Sequence, residues 1–106
     1  MVAMLDKIEQ IAQRCEEIEY QMADPAVMVE YEKLTALAQE RSDIEAIVTA
    51  FKRHGQVSAE LVDTRELLEM EDDREMIAMA QEEIKALSAE LGTLEDEMMR
   101  LLIPKD

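Results

Sequence analysis

AFKRHGQVSAEL, residues 50–61, decides the fold, because it holds a glycine where a long helix either stops or runs on. His54-Gly55 reads as a helix end, since glycine favours the left-handed position just past a C-terminus. The apolar phase reads the other way. Steps of about 3.5 residues from Ile47 land near Phe51, His54, Val57, Leu61, Thr64 and Leu68, and a true break normally resets such a phase. A second punctuation signal, the capping box Ser42-Asp43-Ile44-Glu45, lies within the same apolar run, which begins with Leu34 and Leu37. One helix over about 30–70 is predicted, roughly 60 Å long at 1.5 Å per residue, with Gly55 a soft spot costing about 1 kcal/mol relative to alanine.

Working outward, Met4, Ile8, Ile11, Cys15, Ile18 and Met22 are spaced 4, 3, 4, 3, 4, a heptad-like stripe on a first helix. That helix is expected over about 2–23, because Asp24-Pro25 follows and the residue before a proline disfavours the helical region. In the connection, Asp24 suits a cap and Pro25 a first helical position. Val27, Met28 and Val29 are expected to tuck under the end of helix one. On the other side, Glu71, Asp72 and Asp73 mark a turn in which Asp72 or Asp73 caps a third helix over about 73–102. Its stripe is Met76, Ala80, Ile84, Leu87, Leu91, Leu94, Met98 and Leu101. The fold expected is all-α: a single domain built as a three-helix antiparallel bundle, or coiled-coil hairpin, with a shorter first helix.

Composition agrees. Of 106 residues 48% are hydrophobic and 35% charged, with only two glycines and two prolines, a helical profile. Aromatic residues are scarce, so the core is aliphatic side chains and methionine. Net charge is −15, from 26 acidic and 11 basic residues, which repels nucleic-acid phosphate and points to basic partners. DNA is not expected as a ligand. No stretch approaches the roughly 18 apolar residues of a membrane span, and MVAMLDKIEQ, residues 1–10, is unlike a signal peptide. The lone Cys15 rules out an intrachain disulfide and fits a reducing cytoplasm.

Catalytic signals are thin. Two isolated glycines build no phosphate-cradling loop. His54 is the only histidine, with no nucleophile near it in sequence, and is expected at the helix boundary. Cys15 lies on the apolar stripe and reads as a small buried hydrophobe, with Glu16 and Glu17 expected to raise its pKa. Acid pairs such as Glu82-Glu83 lack a histidine to complete a metal set. Met4, Met22, Met76 and Met98 sit on stripes and read as core. No enzyme activity and no cofactor are expected. Two surface features remain. Glu60, Asp63, Glu66, Glu69, Glu71, Asp72 and Asp73 gather toward one end of the long hairpin, and Lys52-Arg53-His54 is a small basic cluster suited to RNA or an acidic partner.

DPAVM (24–28), MAQEEI (79–84) and LLIPKD (101–106), with YEKLTALAQERSDIEAIV (31–48), resemble in order and spacing the class I peptide chain release factors of bacteria, most closely the release factor 1 branch. The resemblance covers essentially the whole chain. It implies the N-terminal helical domain of a longer factor, with PKD leading into decoding and catalytic domains that this sequence lacks; neither the stop-codon tripeptide nor the Gly-Gly-Gln loop occurs. It also implies a role in translation termination, contact with a basic ribosomal protein at the stalk base, coupling to the class II release factor, and attachment to the rest of the parent chain. The acidic row from Glu60 to Asp73 is the contact expected on this reading. Tyr31 and Gly55 depart from residues frequent in the family, proline and a non-glycine. An unrelated interaction module, a spectrin-like repeat or homodimeric coiled coil, would show the same stripes, and a homodimer through the hairpin or helix one is a further option.

Overall fold

The computed structural model describes residues 2–103; Pro104-Lys105-Asp106, on which the onward connection was read, lie outside the described residues. The elements are α1 (Val2–Met22), α2 (Pro25–Met28), α3 (Tyr31–Met70) and α4 (Arg74–Leu102), with no strand among the described residues. The expected all-α hairpin with a shorter first helix is what forms, with one extra four-residue helix in the connection.

Helix α3 runs unbroken for 40 residues. Gly55 does not take the left-handed conformation that would end a helix, and Ser42 lies mid-helix rather than capping one. The stripe overrides both stop signals because α3 is buried along its length. Leu37, Ile47, Val48, Ala50, Val57, Leu61 and Thr64 are all buried. Thr64, the one buried polar side chain among the described residues, donates its hydroxyl to the Glu60 carbonyl at 2.8 Å.

Each turn has a local cause. Asp24 accepts from the Ala26 amide at 2.9 Å and Pro25 opens α2, so Val27 swings inward to 6% exposure. The expectation that Val27, Met28 and Val29 all tuck in holds only for Val27. Met28 and Val29 point to solvent, because one short helical turn has a single inward position. At the other end Glu71 accepts the amides of Asp72 and Asp73 at 3.2 and 3.1 Å, and Asp73 caps α4 through the Glu75 amide at 2.9 Å.

α3 is the shared partner. It packs on α4 along one seam and on α1 along another. Ile18 of α1 clusters with Val27 and Leu37, whereas Ile8 and Cys15 join Ile47, Val57, Leu61, Leu87, Leu94 and Met98. Early α1 thus meets later α3, the antiparallel sense. Arg14 grips Glu40 with two bonds, 2.5 and 2.8 Å, tying α1 to α3. Ala80 is buried but lies outside both core clusters, in the stretch that α3 and α4 build. The result is a slender body, 62 × 33 × 19 Å, with a base including α1 and a two-helix arm.

Two stripe positions read as core are not. Met76 is 41% and Leu101 39% exposed. Met76 sits in the first turn of α4, past the last three-helix contacts. After Met98 the contact advances four residues to Leu102, which packs on the core, instead of three to Leu101. Neither interior glycine meets anything a Cβ would strike. Gly55→Ala and Gly92→Ala are each expected to stabilise the chain by about 1 kcal/mol, seen as a higher urea midpoint at unchanged slope.

Candidate functional site

The arm ends in the acidic row. Asp63, Glu66 and Glu69 follow Glu60 at steps of three on α3, so the row winds slowly back around the helix, about 60° per step. Glu60, Asp63, Glu66, Glu69, Asp72 and Asp73 are exposed and Glu71 is half-buried. Their roles divide. Glu71 and Asp73 hold the turn and cap α4. Among the described residues no ion pair or side-chain hydrogen bond engages the carboxylates of Glu60, Asp63, Glu66, Glu69 or Asp72. These five remain solvent-exposed toward the end of the two-helix arm.

The arm also presents wet apolar side chains that the stripe reading missed: Met70 at 83%, Met79 at 66% and Val62 at 53% exposure. Their signal was positional. Each lies off the inward stripe of a helix that lacks a third neighbour there, so nothing covers its outer faces. Acidic and apolar side chains are therefore both exposed on the arm.

Two residues of the basic cluster also face α4. Arg53 reaches across to α4 and holds Glu90 with two bonds, 2.6 and 2.9 Å. His54, nearly buried, faces Glu95 at 3.8 Å, and Lys52 alone is exposed. Successive helical residues point about 100° apart, so three neighbours in sequence cannot share one face. Arg53 and His54 serve the α3–α4 seam.

The Arg53 guanidinium holds the Glu90 carboxyl below its ordinary 4.5, chiefly through the hydrogen bonds, and Arg14 does the same to Glu40. The folded pKa is depressed, so each pair's contribution is complete above about 4.5 and is lost as pH falls through the folded value. Glu90→Gln is expected to melt below the parent at pH 7, with the two converging in acid well under 4.5. Thermal melts across that range check it.

Cys15 is 6% exposed, and burial, then the bond from its thiol to Glu19 at 3.6 Å, pushes its pKa up. The acid responsible is Glu19, one turn on, rather than Glu16 or Glu17, which point outward. Among the described residues no group of three or more His, Cys, Asp or Glu is placed to hold a metal, and no helix is long and apolar enough to cross a membrane. Two open grooves of about 580 and 880 Å³ lie along α3 and the end of α4 and share Ser42 and Ala46, forming one shallow trough.

The fold and its surface define an elongated, acidic, all-α hairpin domain. The chain belongs to the PCRF domain family, whose model matches residues 11–106, from the middle of α1 to the end of the sequence. That is a domain of class I peptide chain release factors, which places the chain in translation termination as part of such a factor. No solved structure matched the chain.

Proposed function

We propose that this chain is the N-terminal arm of a bacterial class I release factor of the release factor 1 branch, and that its acidic end touches a basic protein at the base of the ribosomal stalk. On this reading the rest of the parent chain reads the stop codon and promotes peptide release. The arm carries no catalysis and takes no cofactor. It works in the cytoplasm and couples the factor to its class II partner. The observation that carries the reading is the set of five uncommitted carboxylates, Glu60, Asp63, Glu66, Glu69 and Asp72, displayed at the end of a two-helix lever. Carboxylates already spent on internal pairs, such as Glu40 and Glu90, have little field left for a partner. These five form no such pair, although Glu60 lies within the field of Arg53, and a net charge of −15 steers a basic surface toward them from a distance.

Self-association through the wet apolar groups of the arm is the competing use of the same surface. Like charge on both copies opposes it, so it would grow with salt, whereas docking on a basic partner weakens with salt. Competition of the purified chain with a full-length class I factor for ribosomes carrying a stop codon in the decoding site tests the reading. Displacement that fades as salt rises is the expected result. No displacement at high micromolar chain would remove the tip contact.

A further inference from the structure

The chain has two glycines, and both stand inside long helices. Neither is needed for shape: no glycine has a positive φ, and a Cβ built at Gly55 or Gly92 meets nothing within 4 Å. Each costs helix stability relative to alanine with no packing return. Their placement is not independent. Arg53 binds Glu90 across the α3–α4 seam and His54 faces Glu95, so Gly55, two residues past Arg53, and Gly92, two past Glu90, fall within a turn of the same rung. That rung lies near where the cover of α1 runs out. Met4 and Leu5, at the start of α1, pack on the cluster that holds Val57 and reaches Leu61 and Leu87, while the buried Ala80 lies outside it.

We infer that Gly55 and Gly92 form a paired hinge at which the two-helix arm bends against the three-helix base. A hairpin bends only if both helices yield at one level, because a single weakened helix is splinted by its stiff neighbour. Glycine provides that yield through its wider backbone freedom and the absence of a side chain shielding the local hydrogen bonds. The Arg53–Glu90 fork beside it keeps the helices in register while they bend, since an ion pair at the pivot moves little. The acidic end is then carried on a compliant lever that swings over a range of positions. The inference stands whether or not that end is the ribosomal contact.

At 106 residues the chain suits solution NMR. Residual dipolar couplings fitted separately to the base (α1 with residues 31–52 of α3) and to the arm (residues 58–70 and 75–89) report whether the two share one alignment. The parent is expected to give a smaller alignment magnitude for one segment than for the other, and Gly55→Ala/Gly92→Ala a single common one. Either single substitution should remove most of the difference, because one stiffened helix splints the other. Amide exchange next to each glycine should also slow about fivefold on substitution, the propensity gain alone. A parent whose segments already share one alignment overturns the hinge. So does a double variant that exchanges more slowly yet keeps two alignments, since the glycines would then be tolerated residues and not the pivot.

Discussion

Met98→Ala is expected to destabilise the chain by about 2–5 kcal/mol, while Met99→Ala, one residue on, stays within about 0.5 kcal/mol of the parent. Met98 is fully buried and Met99 is 48% exposed. Met98 lies in the cluster that joins all three long helices, with Ile8 of α1, Val57 and Leu61 of α3, and Leu94 of α4. Truncation there removes transfer energy and leaves a void that three separate helices border. A domain this size has only about 5–15 kcal/mol in total, so the loss is a large share. Urea unfolding followed by helical circular dichroism measures both variants. If Met98→Ala unfolds too readily for a baseline, Met98→Leu, which conserves volume, should cost under about 1.5 kcal/mol and keep the comparison with Met99 usable. Equal effects at 98 and 99 would mean that α4 is rotated from the position described.

The second large effect concerns binding. Reversing Asp63, Glu66, Glu69 and Asp72 to lysine is expected to weaken ribosome competition by at least about tenfold, because several close charge pairs turn from attraction to repulsion at one contact. Fold stability should change little. None of the four side chains caps a helix or holds an ion pair, unlike Glu71 and Asp73, which brace the turn and are left alone. Lysine keeps helix propensity close to that of glutamate on α3.

Much of this architecture was readable beforehand because it rests on periodicity. The stripe through Leu37, Ile47, Val57 and Leu61 outvoted a glycine and a capping box, since burial along forty residues outweighs a local cost of about 1 kcal/mol. The Asp24 cap, and a cap at Asp72 or Asp73, were legible for a similar reason: their chemistry is local, and Asp73 is the one used. Other features needed three-dimensional knowledge. Lys52, Arg53 and His54 look like a patch in one dimension, but helical rotation sends Arg53 and His54 to Glu90 and Glu95, residues too distant in sequence to pair by eye. Met76 sat in correct phase yet stayed wet, because phase gives a face without saying whether a neighbour covers it. The change from Leu101 to Leu102 at the end of α4 follows from the slow drift of a 3.6-residue helix against a seven-residue repeat. For the acidic end, the sequence supplied the residues, but only the structure separates the carboxylates that hold the turn from those left uncommitted.

On the proposed reading the end of the arm, rather than total charge, carries the ribosomal contact. The most direct test compares two charge-matched variants in the same competition assay at low salt. One carries lysine at 63, 66, 69 and 72; the other carries lysine at four exposed acids of the base, Asp6, Glu9, Glu16 and Glu32. Both change net charge equally. Loss of competition by the first with retention by the second is the predicted result, and equal loss in both would contradict a localised contact at the acidic end.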